Sequence, residues 1–183
     1  KTAYEIGVRL VGSEMCIRDR FGAAPLVAGY IIALESLAWT LTAIYTSGLR
    51  ERIEPRLIRM GAVFVSVSML GLIYAMPEGP LWVIALFSVI MGMGFGMSWS
   101  FVSKRIIANV PETERTQASA SIPTFMRVAM TLGSALSGII ANYSGFSEAS
   151  SVAVAQNVAF WCFAAFIPLM FVGLVTAWRV SRG

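Results

Sequence analysis

The sequence predicts an all-α, polytopic membrane protein with five transmembrane helices. Three observations lead there. First, the 183 residues are 57% hydrophobic and only 13% charged, with a mean hydropathy of +0.73, whereas a soluble domain has about 25% charged residues. A water-soluble fold of this size still exposes roughly a third of its chain surface, so this much apolar side chain could not be hidden from water. Second, apolar runs about 20 residues long, enough to cross a hydrocarbon core, occur five times. Third, the basic residues gather between the runs and alternate in position along the chain.

The elements follow in order. Residues 1–20, KTAYEIGVRLVGSEMCIRDR, contain no apolar stretch followed by a small-residue cleavage site, so they do not read as a signal peptide. Within them residues 8–20, VRLVGSEMCIRDR, resemble translated sequencing-adapter read-through, and the segment is expected to be non-native; a genuine short loop is the alternative. Residues 21–183 form the membrane bundle. Its spans are expected at about 26–46, 57–76, 81–102, 118–143 and 157–178. Arg59 stands near the start of the second span, where a long side chain can snorkel to the interface. Each span is helical because lipid offers backbone amides no partner outside the chain, and the short alternating strands of a membrane barrel are missing from the pattern. Pro123 and Pro168 fall inside spans and are expected to bend them.

The loops set an orientation. The first connection holds Arg50, Arg52, Arg56 and Arg59, the second only Glu78, and the third Lys104, Arg105 and Arg115. The fourth has only Glu148, and the tail has Arg179 and Arg182. Basic loops stay in the cytoplasm. The first helix therefore enters from outside and the C-terminus is cytoplasmic, in a multi-pass protein of the cell membrane. Arg18 and Arg20 alone break the alternation, and a non-native N-terminal segment removes the exception.

Composition also excludes functions. The chain has no histidine, which removes the commonest general base and the commonest metal ligand together. Its two cysteines, Cys16 and Cys162, make neither a disulfide framework nor a metal-ligand spacing. No catalytic residue, cofactor or metal site is expected. The basic residues form loop clusters rather than a continuous basic face, so the expected partner is the lipid bilayer and not nucleic acid.

The first basic loop reads Ser47-Gly48-Leu49-Arg50-Glu51-Arg52-Ile53-Glu54-Pro55-Arg56. It resembles the G-x-L-x-D-R-x-G-R-R/K loop between the second and third helices of each half of the major facilitator superfamily. Glu51 stands at the acidic position, and Arg52 and Arg56 at basic ones; Ser47 and Glu54 replace the two glycines. Gly92-Met93-Gly94-Phe95-Gly96-Met97-Ser98 and the run from Arg127 to Gly138 resemble the tenth and eleventh helices of drug–proton antiporter-like members. The resemblance covers about residues 21–180. It implies five helices of the C-terminal six-helix bundle, in a protein of two pseudo-symmetric bundles that rock around a midplane site. It further implies a fragment of a secondary active transporter that moves a small molecule by alternating access with proton coupling, its N-terminal half missing. A non-catalytic integral membrane subunit is the alternative, ahead of a membrane-embedded enzyme, for which no catalytic constellation is found.

Within that frame a few residues stand out. Glu35 lies roughly 14 Å into the first span, where an ionisable group is costly and usually faces a cavity or a partner. It reads either as a proton carrier or as a structural carboxyl bonded to a neighbouring helix. Trp39 and Thr42 follow on its face at i+4 and i+7, lining the same cavity or simply packing. Arg127 is near mid-depth in the fourth span, and Thr124, Arg127, Thr131 and Ser134 form one polar stripe. The stripe is expected to face protein or water, with Arg127 binding an anionic substrate group, pairing with Glu35 or an acid of the missing half, or latching two helices. Glu51, Arg52 and Arg56 are read as a cytoplasmic latch or as topology signals alone. Gly92 and Gly96, Gly133 and Ser137, and Ser134 and Gly138 make small-x-x-x-small pairs, expected to serve helix packing.

Overall fold

The computed structural model describes residues 25–49, 51–144 and 152–182. Residues 1–20, Arg50 and Glu148, all singled out above, lie outside them. The described chain forms α1 (Pro25–Ser47), α2 (Glu54–Glu78), α3 (Leu81–Ala108), α4 (Arg115–Tyr143), α5 (Val152–Ala164) and α6 (Ile167–Val180). Single 3₁₀ turns at Glu51–Ile53 and Glu112–Glu114 lead into α2 and α4. Five stretches are long and apolar enough to cross a membrane: Leu26–Ser47, Glu54–Glu78, Leu81–Ala108, Glu112–Tyr143 and Ala153–Val180. The protein is all-α with five spans, the class its sequence predicts.

The last span consists of α5 and α6 in series. Pro168 has no N–H, so the Ala164 carbonyl loses its helical partner. The chain tightens ahead of it: the Phe166 N–H donates to the Phe163 carbonyl at 3.1 Å, an i→i+3 bond, and Phe166 sits at φ −90°, ψ 0°. α6 restarts with Pro168 in its first turn, where a missing N–H does no harm. Pro123 by contrast lies within α4 without ending it. Between α2 and α3 the connection is only Gly79 and Pro80. The Gly79 N–H closes α2 on the Ala75 carbonyl at 2.8 Å, and a Cβ on Gly79 would come within 2.7 Å of the Ala75 Cα.

α3 is the centre of the bundle. It packs along α1 on one side and α2 on the other; α2 also supports α5 and α6, and α4 lies against α5 and the edge of α3. The glycines explain this arrangement. At 3.6 residues per turn Gly92 and Gly96 share a face, whereas Gly94 lies about 200° further round. A Cβ on Gly96 would stand 2.5 Å from the Trp39 carbonyl oxygen, and one on Gly92 would overlap the Glu35 carbonyl. On the opposite face, a Cβ on Gly94 would stand 2.8 Å from the Gly61 carbonyl oxygen, and one on Gly61 2.5 Å from the Gly94 carbonyl. Backbone thus meets backbone on both sides of one helix, the contact small residues permit in lipid, where burial of apolar surface gives helices no reason to associate.

The main cluster of buried side chains includes Ile31, Leu72, Met76, Ile84 and Ala159; a smaller one joins Ala141, Val158 and Cys162. Ile58 and Phe101 are buried as well, but many of the other large apolar side chains point outward. Phe125 is 73% exposed and Trp82 69%, as a surface solvated by lipid tails requires. Several hydroxyls within the spans bond back to their own helix: Ser66 to the Ala62 carbonyl at 2.8 Å, Ser98 to Gly94 at 2.9 Å, and Thr176 to Val172 at 2.7 Å.

Candidate functional site

The α1–α3 seam brings together two groups of residues that look unrelated in sequence. Glu35, Trp39 and Thr42 lie on one side, and Gly92 and Gly96 on the other. Trp39 stacks on Phe95 with ring centroids 5.3 Å apart and planes 18° from parallel, an arrangement worth about 0.5–1.5 kcal/mol beyond its area. The Thr42 Cβ lies where a side chain on Gly96 would meet it, at 2.9 Å. One turn on, the buried Thr46 hydroxyl donates to the Thr42 carbonyl at 2.8 Å and reaches across the seam to the Gly96 carbonyl at 3.4 Å. Glu35 is half-buried. Its carboxylate has neither a hydrogen bond nor an ion pair from any described residue.

Arg127 stands elsewhere. Thr124, Arg127 and Thr131 are exposed and Ser134 is half-buried, so the polar stripe of α4 is left uncovered by the described residues. Thr131 donates to the Arg127 carbonyl and Ser134 to the Met130 carbonyl, both at 2.9 Å. Arg127 and Glu35 form no ion pair: α1 packs on α3, and α4 on α5 and the edge of α3. The small residues of α4 divide. Ser137 offers its carbonyl to the Cys162 thiol at 3.7 Å, while a Cβ on Gly133 or Gly138 would meet nothing within 4 Å.

At the arginine-rich end, Arg52 and Arg56 are exposed, and the Glu51 side chain lies outside the described ones. The structure ties this end together with two other residues. Glu54, 7% exposed, opens α2, and its Oε1 accepts from the Arg105 Nε at 2.6 Å. The Arg105 Nη1 donates in turn to the Val180 carbonyl. Three helix ends meet on one pair. A carboxylate suits the N-terminus of α2 and a guanidinium the C-terminus of α3, each opposing the local helix dipole, and Arg105 also satisfies an orphan carbonyl at the end of α6. In the sequence, Glu54 is only a departure from a glycine position, and Arg105 one more basic loop residue 51 positions away. The acid in the first turn of a helix is the one local signal.

Between α2, α3 and α6 lies an apolar cavity of about 510 Å³, lined by Ile58, Val65, Phe95, Ser98, Met170 and Leu174 among others. Phe95 is shared: one face of the helix α3 places it against Trp39, and it also forms cavity wall.

These features meet known proteins as follows. The riboflavin transporter RibZ of Clostridioides difficile is 24% identical over 83% of this chain, which spans 34% of that protein. A probable multidrug-efflux transporter of Mycobacterium tuberculosis, found in two strains, is 23% identical over 86% of the chain and 33% of its own length. The chain thus spans about a third of the length of the curated relatives it matches. No solved structure matches it. The family profile described as Major Facilitator Superfamily matches residues 6–182, starting within the first twenty residues and running through all five spans. The chain belongs to the major facilitator superfamily.

Proposed function

We propose that this chain is part of the C-terminal bundle of a secondary active transporter, of the drug–proton antiporter-like kind, that moves a small organic molecule by alternating access coupled to protons. The observation that supports it most is Glu35. It is an ionisable group near mid-depth in α1, half-buried, with no partner among the described residues, beside the Trp39–Phe95 stack. Intramembrane carboxyls of this kind mark proton pathways. The relatives' names, a riboflavin transporter and a probable multidrug-efflux transporter, favour aromatic or apolar organic cargo. Family members are carriers, and no step here calls for an enzyme.

In this reading the arginine-bearing ends of α2, α3 and α6 are cytoplasmic, with the C-terminus inside. The exposed Arg127 stripe of α4 faces the remaining helices of the parent protein across the central cavity, where it meets substrate or an acidic partner. The Glu54–Arg105 pair, with Arg52 and Arg56 outside it, latches the cytoplasmic end in one transport state. Residues 8–20 are adapter-derived, a reading that the intact upstream reading frame tests directly.

The experiment uses the full-length parent reconstituted in liposomes, with riboflavin and ethidium as probes and an imposed pH gradient. Flux of at least one probe follows the gradient in the native protein. Glu35→Gln keeps expression and membrane insertion but loses gradient-driven accumulation, leaving at most downhill exchange. A second reading has its own observation: Glu35 lies on a seam where Gly92 touches its backbone, which suits a structural carboxyl in a non-catalytic membrane subunit. Under that reading Glu35→Gln lowers thermal stability and leaves coupling unchanged.

A further inference from the structure

The end of α6 presents a second kind of chemistry. The apolar cavity between α2, α3 and α6 reaches Ala177 and Val180 in the last turn of α6. It shares Leu174 with a shallow recess lined by Trp178, Arg179 and Arg182. From α2, the Arg59 guanidinium lies 5.9 Å from the Trp178 ring centroid. Its Nε is buried with no hydrogen-bond partner among the described residues, a costly state for a charged donor. Glu54, at the start of α2, is already engaged with Arg105 at 2.6 Å. Three arginines therefore gather around Trp178, beside an apolar groove, with no ion pair to any described carboxylate.

We infer that this corner binds an anionic phospholipid of the leaflet it faces. The phosphate accepts from the guanidinium groups of Arg59, Arg179 and Arg182, the charge-assisted pairing that arginine geometry suits. Trp178 sits at headgroup depth, where its amphipathic ring is favoured. An acyl chain fills the groove along Leu174, Met170 and Phe166. Basic pockets between spanning helices hold acidic headgroups by this combination of charge and depth. The inference depends on the chain crossing the membrane and not on what it transports.

Native mass spectrometry of the purified full-length parent tests it, titrated with dioleoyl phosphatidylglycerol and, separately, dioleoyl phosphatidylcholine. Phosphatidylglycerol is retained in preference. Removing Arg59 and Arg179 together, as Arg59→Gln with Arg179→Gln, weakens phosphatidylglycerol binding roughly thirtyfold, at about a tenfold loss per 1.4 kcal/mol and about 1 kcal/mol per charge. Arg52→Gln with Arg115→Gln removes the same charge from exposed side chains away from the groove, and changes binding less than about threefold. Gly173→Phe tests the groove itself. Gly173 lines it, and a Cβ there meets nothing within 4 Å, so the ring enters open space and displaces the acyl chain, weakening phosphatidylglycerol binding. Equal losses in the two charge-removal variants would mean general attraction to a basic surface and overturn the site. So would an absent preference for phosphatidylglycerol, or Gly173→Phe with native affinity.

Discussion

Gly96→Leu is expected to separate α1 from α3. The substituted Cβ would sit 2.5 Å from the Trp39 carbonyl oxygen and 3.1 Å from the Ala43 amide nitrogen. Both are backbone atoms, so no side-chain rotation can relieve the overlap. Overpacking in a core usually costs about 1–3 kcal/mol, and more where rigid groups collide; the upper end is expected here. The helices must part along the seam, which also removes the Trp39–Phe95 stack and the Thr46–Gly96 hydrogen bond. Thermal unfolding in detergent, followed by the monodisperse fraction on size exclusion, reads this as a large drop in apparent Tm or a loss of the folded peak. Gly133→Ala is the control. It adds a Cβ to open space and is expected to leave both readings within error.

Arg105→Gln is the second large effect. Glu54 is buried, and its carboxylate is paired at 2.6 Å with a guanidinium whose side chain is 26% exposed. Removing one member of a buried pair strands the other, and costs about 3–5 kcal/mol. The partial exposure of Arg105 places the expected value toward the lower end, about 3 kcal/mol, because water screens part of the interaction. The Val180 carbonyl loses its donor in the same change. Adding Glu54→Gln to Arg105→Gln removes the stranded charge and is expected to restore more than half of the lost stability. If the double variant is no better than the single one, the pair is not what holds the three helix ends.

The legibility of this structure varied with the range of the interaction involved. The five spans were readable because length and apolarity are local, and lipid leaves backbone amides no other solution. Gly92 and Gly96 were readable as a close-packing pair from their four-residue spacing. The partner face was not: Gly61 has no small residue four positions away in α2, and Gly94 reads as filler until three glycines at i, i+2 and i+4 are seen to supply two opposite faces. The interruption at Ala165–Phe166 was only half visible. Pro168 announces a disturbance, but whether a proline bends a helix or splits it depends on what the freed carbonyl meets, and Pro123 leaves α4 whole.

The candidate site shows the same limit. Glu35, Trp39 and Thr42 share a face because helical periodicity puts them there. That Gly92 and Gly96 stand opposite depends on how two helices separated in the chain by all of α2 dock. Likewise the charge pair at the arginine-rich end lies between Glu54 and Arg105, a contact set by three converging helices and by no spacing within the first loop. The Arg127 stripe is periodic in sequence and uncovered in the described bundle, consistent with a chain that spans about a third of its relatives.

Everything above depends on α1 to α6 crossing a bilayer five times with the arginine-bearing ends on one side. Cysteine accessibility tests this most directly. In a cysteine-free version of the full-length parent, with Cys162 replaced by serine, single cysteines go in at Glu78, Glu112 and Arg182, all exposed positions in or next to connections or the tail. A membrane-impermeant maleimide is then applied to intact cells and to permeabilised ones. The expected result is that position 78 labels in intact cells, while positions 112 and 182 label only after permeabilisation. Labelling of 78 and 112 from the same side would mean that α3 does not span, and would contradict the five-crossing bundle at its central helix.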